Sequence, residues 1–271
     1  MESKLSDLPF TIFAPSYKRA DSHLTQRWLP EATLVVHESE ADAYRKEGAR
    51  IIVAPDGVKG NIARVRNWVM DYAREKGITR YVMMDDDISQ VSYWRCSELG
   101  ENRKWTVIPH TRSTFLEFLE FGYQFAEEWG VRLFGVNPAM GDKGAYREYT
   151  PFSTTSYISG SLHCHINPEL RYDENLPLKK DFDFCIQECN ATRRILRFNW
   201  AFLIKKDHQN LGGCAGYRTT KREQDQFMAF QRKWGEDIVR IDGGQSKTHT
   251  KKTRGDAWDV NPIIRIPIKG V

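Results

Sequence analysis

Residues 81–88 read Tyr81-Val82-Met83-Met84-Asp85-Asp86-Asp87-Ile88, four apolar or aromatic residues running straight into three adjacent carboxylates. The first half reads as a buried strand. Three like charges in a row are costly unless a cation or hydrogen-bond donors compensate them. Alternation predicts Asp85 and Asp87 on one side of the chain and Asp86 on the other. Oxygen ligands at the tip of a parallel strand suit Mg²⁺ or Mn²⁺ with an attached diphosphate. The competing reading is a solvated acidic turn.

The flanking sequence decides what kind of strand this is. Upstream, Phe10–Ala14 reads as a strand ending at Pro15-Ser16, Thr33–His37 as a second, and Arg50–Ala54 as a third stopped by Pro55-Asp56-Gly57. Between them lie a polar helical stretch, Ser39–Glu47, and a helix over Asn61–Lys76. The latter has apolar residues at Ile62, Val65, Val69 and Tyr72 and Gly77 as C-cap. Four strands alternating with helices predict an α/β fold, a mostly parallel central sheet with right-handed crossovers and flanking helices. Ligands of such sheets sit beyond the carboxyl ends of the strands. Downstream, Thr111–Trp129, Asp181–Thr192 and Lys221–Trp234 read as helices, and Val131–Val136, Ser156–Ile166 and Leu196–Ile204 as strands. Asn137–Pro151 reads as a loop, and Ile263–Ile268 as a final edge strand in which Pro267 is tolerable.

The 271 residues carry 40 Lys+Arg against 36 Asp+Glu, a net charge of +4 with neutral His. Arg240–Val271 holds seven basic and three acidic residues, so this tail carries the whole surplus and the rest of the chain is neutral. A 40% hydrophobic and 12% aromatic composition excludes a disordered chain. No apolar run approaches a membrane span; Trp200–Ile204 is among the longest. The start, MESKLSDLPF, lacks an apolar signal core, and five scattered Cys point to reduced thiols, so a cytoplasmic protein is expected rather than a secreted one.

Beyond the acidic triplet, four segments carry candidate chemistry. Asp181 and Asp183, in Lys179-Lys180-Asp181-Phe182-Asp183, read either as a general base for an acceptor hydroxyl or, for Asp181, as a helix N-cap. Lys205-Lys206-Asp207-His208, followed by Gly212-Gly213, offers His208 as a metal ligand or a surface residue. Pro15-Ser16-Tyr17-Lys18-Arg19 follows the first strand, where a nucleotide would dock, with Tyr17 to stack and Arg19 to reach phosphate. Gly60–Asn67 opens a helix with Arg64, Arg66 and Asn67 near its dipole-positive end, suited to an anion or simply solvated. Zinc is the poorer alternative. His163 and His165 share a strand face that Cys164 does not, and Cys185/Cys189 form no CxxC.

Taken in order, these elements resemble the GT-A class of nucleotide-sugar glycosyltransferases over about residues 10–213. Asp85-Asp86-Asp87 is similar to that class's DxD motif, Ala63–Asn67 to its Arg-Asn helix start, and Asp181/Asp183 to its acceptor-side acid motif. The opening APSYKRAD, MMDDDI and HQNLGG are most similar to the TET-associated glycosyltransferases, a phage and eukaryotic group linked to sugar addition on hydroxymethylated pyrimidines in DNA. The resemblance implies a GT-A (Rossmann-like) domain over residues 1–243, with a donor half to about residue 95 and an acceptor half beyond it. A basic extension, 244–271, would follow. It also implies a UDP-sugar donor held by Pro15, Ser16, Tyr17, Arg19, His37, Arg64, Arg66, Asn67, Asp85 and Asp86. Mn²⁺ or Mg²⁺ would sit on Asp85, Asp87 and His208, and Asp181 or Asp183 would act as base with inversion at the anomeric carbon. A phage origin would place the enzyme in the host cytoplasm.

Lys247, Lys251, Lys252 and Arg254 cluster beside Ser and Thr, a pattern suited to DNA phosphates, and Tyr146, Tyr149, Gly212 and Gly213 are expected on the acceptor side. A base substrate leaves the stack, which an aromatic platform assists. Three alternatives stay open: another acceptor (glycan, protein or small molecule), a nucleotidyl transferase or phosphatase using the triplet, and a DNA-binding module whose acidic cluster is structural.

Overall fold

Four short strands pair in parallel in the order β3-β2-β1-β4: β1 (Thr11–Pro15), β2 (Ala32–His37), β3 (Ile51–Ala54) and β4 (Arg80–Met84). The connections carry α1 (Leu24–Trp28), α2 (Ala41–Lys46) and α3 (Ile62–Glu75). The structure, a computed structural model, describes residues 8–96, 105–138, 150–205, 219–241 and 262–267. Asn61 caps α3 by accepting from the Ala63 amide; the C-cap is Lys76, and Gly77, expected at that position, follows it at φ 66°.

The chain continues as β5 (Ile88–Cys96), β6 (Trp105–Pro109), α4 (Arg112–Glu128), β7 (Leu133–Asn137), β8 (Phe152–Ser153), β9 (Leu162–Ile166), α5 (Lys180–Thr192), β10 (Leu196–Lys205), α6 (Thr220–Trp234), β11 (Val239–Ile241) and β12 (Pro262–Ile264). The main sheet runs β3-β2-β1-β4-β9-β7-β10-β5-β6, with β8 also on β10. β1, β2, β3, β4, β6, β7 and β10 share one direction while β5, β8 and β9 oppose it, so the sheet is mostly parallel in sense. This is the flanked α/β sheet expected of the GT-A class.

Side chains of the parallel block alternate between two core layers. Ile12, Ala14, Leu34, Val36, Val82 and Met84 pack with Phe115, Phe118, Leu119 and Tyr123 of α4. Phe13, Val35, Tyr81 and Met83 pack on the other face with Val65, Val69 and Met70 of α3 and Phe184, Cys185 and Cys189 of α5. A strand covered on both faces has to be apolar throughout, which is why Tyr81–Met84 shows a continuous run.

Three local expectations are corrected. Only Leu162–Ile166 of the predicted strand 156–166 is extended in the sheet, because residues 157–160 leave it to wrap against α5. β5 follows the acidic triplet directly, where no strand was read. The final edge strand expected over Ile263–Ile268 is present but shorter, as β12 ends at Ile264 and pairs antiparallel with β11.

Glu188, on the inward face of α5, is 1% exposed, and burial pushes its carboxyl up to about 7, against a smaller pull from Arg132. Below its ordinary value of 4.5 both folded and unfolded states hold the proton. Between there and 7 only the folded state does, so stability falls as pH rises through this window and levels off above it. Glu188→Gln should therefore stabilise the protein at pH 8 by about 2–3 kcal/mol and leave it unchanged at pH 4. Thermal melts of both proteins at the two pH values check this; equal gains at both would refute it.

Candidate active site

The carboxyl ends of β1, β2 and β4 lie side by side, and the acidic triplet sits among them. Asp85 continues the alternation toward the α3 layer and Asp86 points to the opposite one. Asp86 is 3% exposed; Arg19 Nη1 donates to its Oδ1 at 2.5 Å and Ser16 Oγ to its Oδ2 at 2.5 Å. Burial raises the Asp86 carboxyl to about 6, although Arg19 and Ser16 pull it down. Asp87 lies where the chain turns. It meets Arg19 Nη1 through Oδ2 at 3.2 Å and Lys205 Nζ through Oδ1 at 3.8 Å. It therefore shares one cation with Asp86 and another with Asp85, rather than simply siding with Asp85.

Lys205 reaches this point because of how β10 is paired. Its early residues, Leu196–Phe198, lie beside β7, and Ala201–Lys205 lie beside β5. Ile204 is opposite Gln90 but Lys205 is opposite Ile88, which leaves Ser89 as the extra residue of a bulge; Ser89 Oγ donates to the Ile204 carbonyl at 3.0 Å. A bulge bends the strand and re-aims the next side chain. Lys205 Nζ then lies 2.5 Å from Asp85 Oδ2. Burial opposes the charge on both groups, but their mutual attraction outweighs it, raising Lys205 and, with help from Arg66, holding Asp85 well below the usual carboxylate range.

Arg66 of α3 connects the triplet to the second acidic site. Its side chain is 1% exposed, with Nη2 3.4 Å from Asp85 Oδ1 and donating to the Gly160 carbonyl, and Nη1 3.4 Å from Tyr172 Oη. Gly160 is the common wall. A Cβ there would fall 2.8 Å from Asp181 Cβ, 3.1 Å from Asp181 Oδ2 and 3.2 Å from Arg66 Nη1, so only glycine leaves room for both side chains. Asp181 accepts from Tyr157 Oη at 2.7 Å and from the Gly160 amide at 3.2 Å, with Lys180 Nζ at 3.8 Å. Burial would raise its carboxyl, but Lys180, the Tyr157 hydroxyl and Arg66 more than offset this and hold it well below the usual range. The N-cap of α5 is Lys179, so Asp181 lies inside the first turn and does not cap the helix.

The other predicted site residues divide. Tyr17 lies edge-on to His37 with ring centroids 5.8 Å apart, and Lys59 Nζ is 5.6 Å from the Tyr17 ring centre. His37 Nδ1 is buried with no hydrogen-bond partner among the described residues. Pro15 ends β1 beside them. Arg64 is half exposed and pairs with Glu174 at 3.5 Å, and Asn67 ties α3 to the Tyr172 backbone and Glu174. Neither is among the partners of the acidic triplet. Asp183 is fully buried, its oxygens taken by Trp234 Nε1 (2.7 Å), Lys233 Nζ (2.8 Å) and Gln187 Nε2 (2.6 Å). It faces α6. Tyr146, Tyr149, His208, Gly212, Gly213, Lys247, Lys251, Lys252 and Arg254 lie outside the described residues.

His163 and His165 do share a strand face, both reaching Tyr172 Oη, while Cys164 packs in the opposite layer. Burial lowers His163 to about 3 and holds His165 well below its ordinary value, so both are neutral core residues. Sequence reasoning passed over Lys205, Tyr157, Gly160 and Tyr172. Of these only Lys205 carried a signal, as the first charge after a strand facing an unbalanced acidic triplet.

Among the described residues, no group of three or more His, Cys, Asp or Glu could hold a metal ion. Two carboxylates that already share one cation do fit such an ion when substrate phosphates complete its shell. Asp87 Oδ1 is buried and accepts no hydrogen bond among the described residues, which agrees with that use.

Among solved structures, the chain is similar to residues 1–349 of S. aureus TarS at 13% identity, covering 71% of this chain and 59% of that one with a TM-score of 0.41. A longer S. aureus TarS structure matches at 11% identity, covering 82% of this chain and 39% of that one, TM-score 0.42. A CMP:2-keto-3-deoxy-manno-octonic acid synthetase complexed with CTP matches at 12% identity, covering 82% and 99%, TM-score 0.43. The chain thus spans less than two thirds of the TarS structures it matches. No curated protein matches it. No described helix is long and apolar enough to cross a membrane. The model of the TET-Associated Glycosyltransferase family matches residues 10–213, more than half of the sequence, and the chain belongs to that family.

Proposed function

We propose that this protein is a metal-dependent, inverting glycosyltransferase that moves a sugar from a UDP-sugar to the hydroxyl of a hydroxymethylated pyrimidine in DNA. The observation that carries the reading is the single guanidinium of Arg66 between Asp85 and the wall that Asp181 shares, which sets the acidic triplet beside the ionised Asp181 carboxylate. Tyr17 and His37 offer rings and an unpaired ring nitrogen to the donor's base, and Arg19 and Lys205 offer cationic donors to its diphosphate. Asp85 and Asp87 would hold a divalent ion, which when bound supplies Lewis-acid stabilisation of the departing diphosphate. Asp181 accepts the hydrogen bond of the acceptor hydroxyl and takes its proton as the new glycosidic bond forms, on the face opposite the leaving group. Tyr157 and the Gly160 amide hold the carboxylate in place while that happens. The basic residues Lys247, Lys251, Lys252 and Arg254 support a polyanionic acceptor by charge.

The test is incubation of hydroxymethylcytosine DNA with a panel of nucleotide sugars and Mn²⁺, followed by nucleoside mass analysis. One sugar should add one hexose or pentose mass to the modified nucleoside. No gain with any donor, together with no DNA affinity at low salt, would sink the DNA acceptor. Transfer of the nucleotide in place of the sugar would sink the glycosyltransferase reading.

A further inference from the structure

Among the described residues, Asp85, Asp86 and Asp87 face three cations, Arg19, Arg66 and Lys205. The three cations are not equivalent. Arg19 is held against buried Asp86, and Arg66 is fully buried against the Gly160 carbonyl and Tyr172. Lys205 meets Asp85 and Asp87, is about one-third exposed, and ends a flexible four-carbon stem. It is the cation that can withdraw.

We infer that Lys205 is a positioning residue that makes divalent-ion loading conditional on the donor. The inference rests on the reading of Asp85 and Asp87 as the metal-holding carboxylates. An ion arriving alone must displace the ammonium from its 2.5 Å contact with Asp85 and sit near two fixed guanidiniums, with no new negative charge to offset them. An ion arriving with a nucleoside diphosphate brings that charge along, and the displaced ammonium gains phosphate oxygens as acceptors. Donor and ion therefore tighten each other, reciprocally. Removing the ammonium while keeping the stem should free the carboxylate pair and let the ion bind without the donor.

Manganese binding to the full chain, read from the paramagnetic resonance signal of free Mn²⁺ with and without UDP, tests this apart from turnover. Wild type should bind Mn²⁺ weakly alone and at least about tenfold more tightly with UDP. Lys205→Met should bind Mn²⁺ alone about tenfold more tightly than wild type, with a smaller response to UDP. Lys205→Arg, which keeps the positive charge, should not gain donor-free affinity for Mn²⁺. An unchanged or weaker donor-free affinity in Lys205→Met overturns the inference alone, provided wild type binds Mn²⁺ with UDP. If neither protein binds Mn²⁺ even with UDP, the metal reading of Asp85 and Asp87 falls and takes this inference with it.

Discussion

Asp181→Asn should lower the turnover number for sugar transfer by about 10²–10⁴-fold, the usual worth of a positioned general base, while leaving UDP binding near wild type; the ionised carboxylate also stabilises the fold, so the melting temperature should fall by several degrees with the protein still folded at assay temperature. The replacement keeps the shape and an oxygen that can still accept from Tyr157 Oη and the Gly160 amide; it removes the charge and the ability to take a proton. Because Lys180, Tyr157 and Arg66 outweigh burial and hold Asp181 well below the usual carboxylate range, the wild-type group stays ionised from about pH 5 to 8. The defect should therefore be the same across that range. Steady-state kinetics with saturating donor, calorimetric UDP titration and a thermal melt measure the three quantities. Full activity in Asp181→Asn would place the base elsewhere. Lost UDP affinity would make Asp181 part of donor binding through Arg66, whose guanidinium borders the same Gly160.

The parallel block was readable because each of its strands is covered on both faces, and such strands announce themselves as short apolar runs between turn residues. β5 escaped for a local reason. Its bulge at Ser89 breaks the alternation, so Ile88, Val91, Ser92 and Trp94 are its buried positions, and the preceding carboxylates read as an end rather than a turn. The Asp85–Asp87 cluster was legible as a concentration of charge seeking compensation, and the compensation is present as Arg19, Arg66 and Lys205. Which cations supply it is a property of the sheet path. Lys205 lies 120 positions from Asp85 and arrives only because β10 changes partner from β7 to β5 along its length. Gly160 was illegible for a different reason: a glycine that makes room for two side chains leaves no trace in periodicity.

Asp183 sits two residues from Asp181 and should behave in the opposite way. Asp183→Ala is expected to cost about 3 kcal/mol of stability, a fall in melting temperature of roughly 10 °C, with transfer activity retained at temperatures where the protein stays folded. Its side chain has no exposure, and Trp234 Nε1, Lys233 Nζ and Gln187 Nε2 all converge on it. Lys233 keeps Asp173 as a second partner at 2.7 Å, so the loss falls mainly on the indole N–H and the glutamine amide, left without their acceptor beside the core that joins α5 to α6. The pair is told apart by helical geometry. Residues two apart on a helix point to different faces, so Asp181 meets Gly160 and Tyr157 while Asp183 meets α6. Comparing melts and transfer rates of Asp181→Asn and Asp183→Ala separates the roles: a stable, inactive Asp183→Ala would reverse the assignment and make Asp183 the group that takes the acceptor's proton.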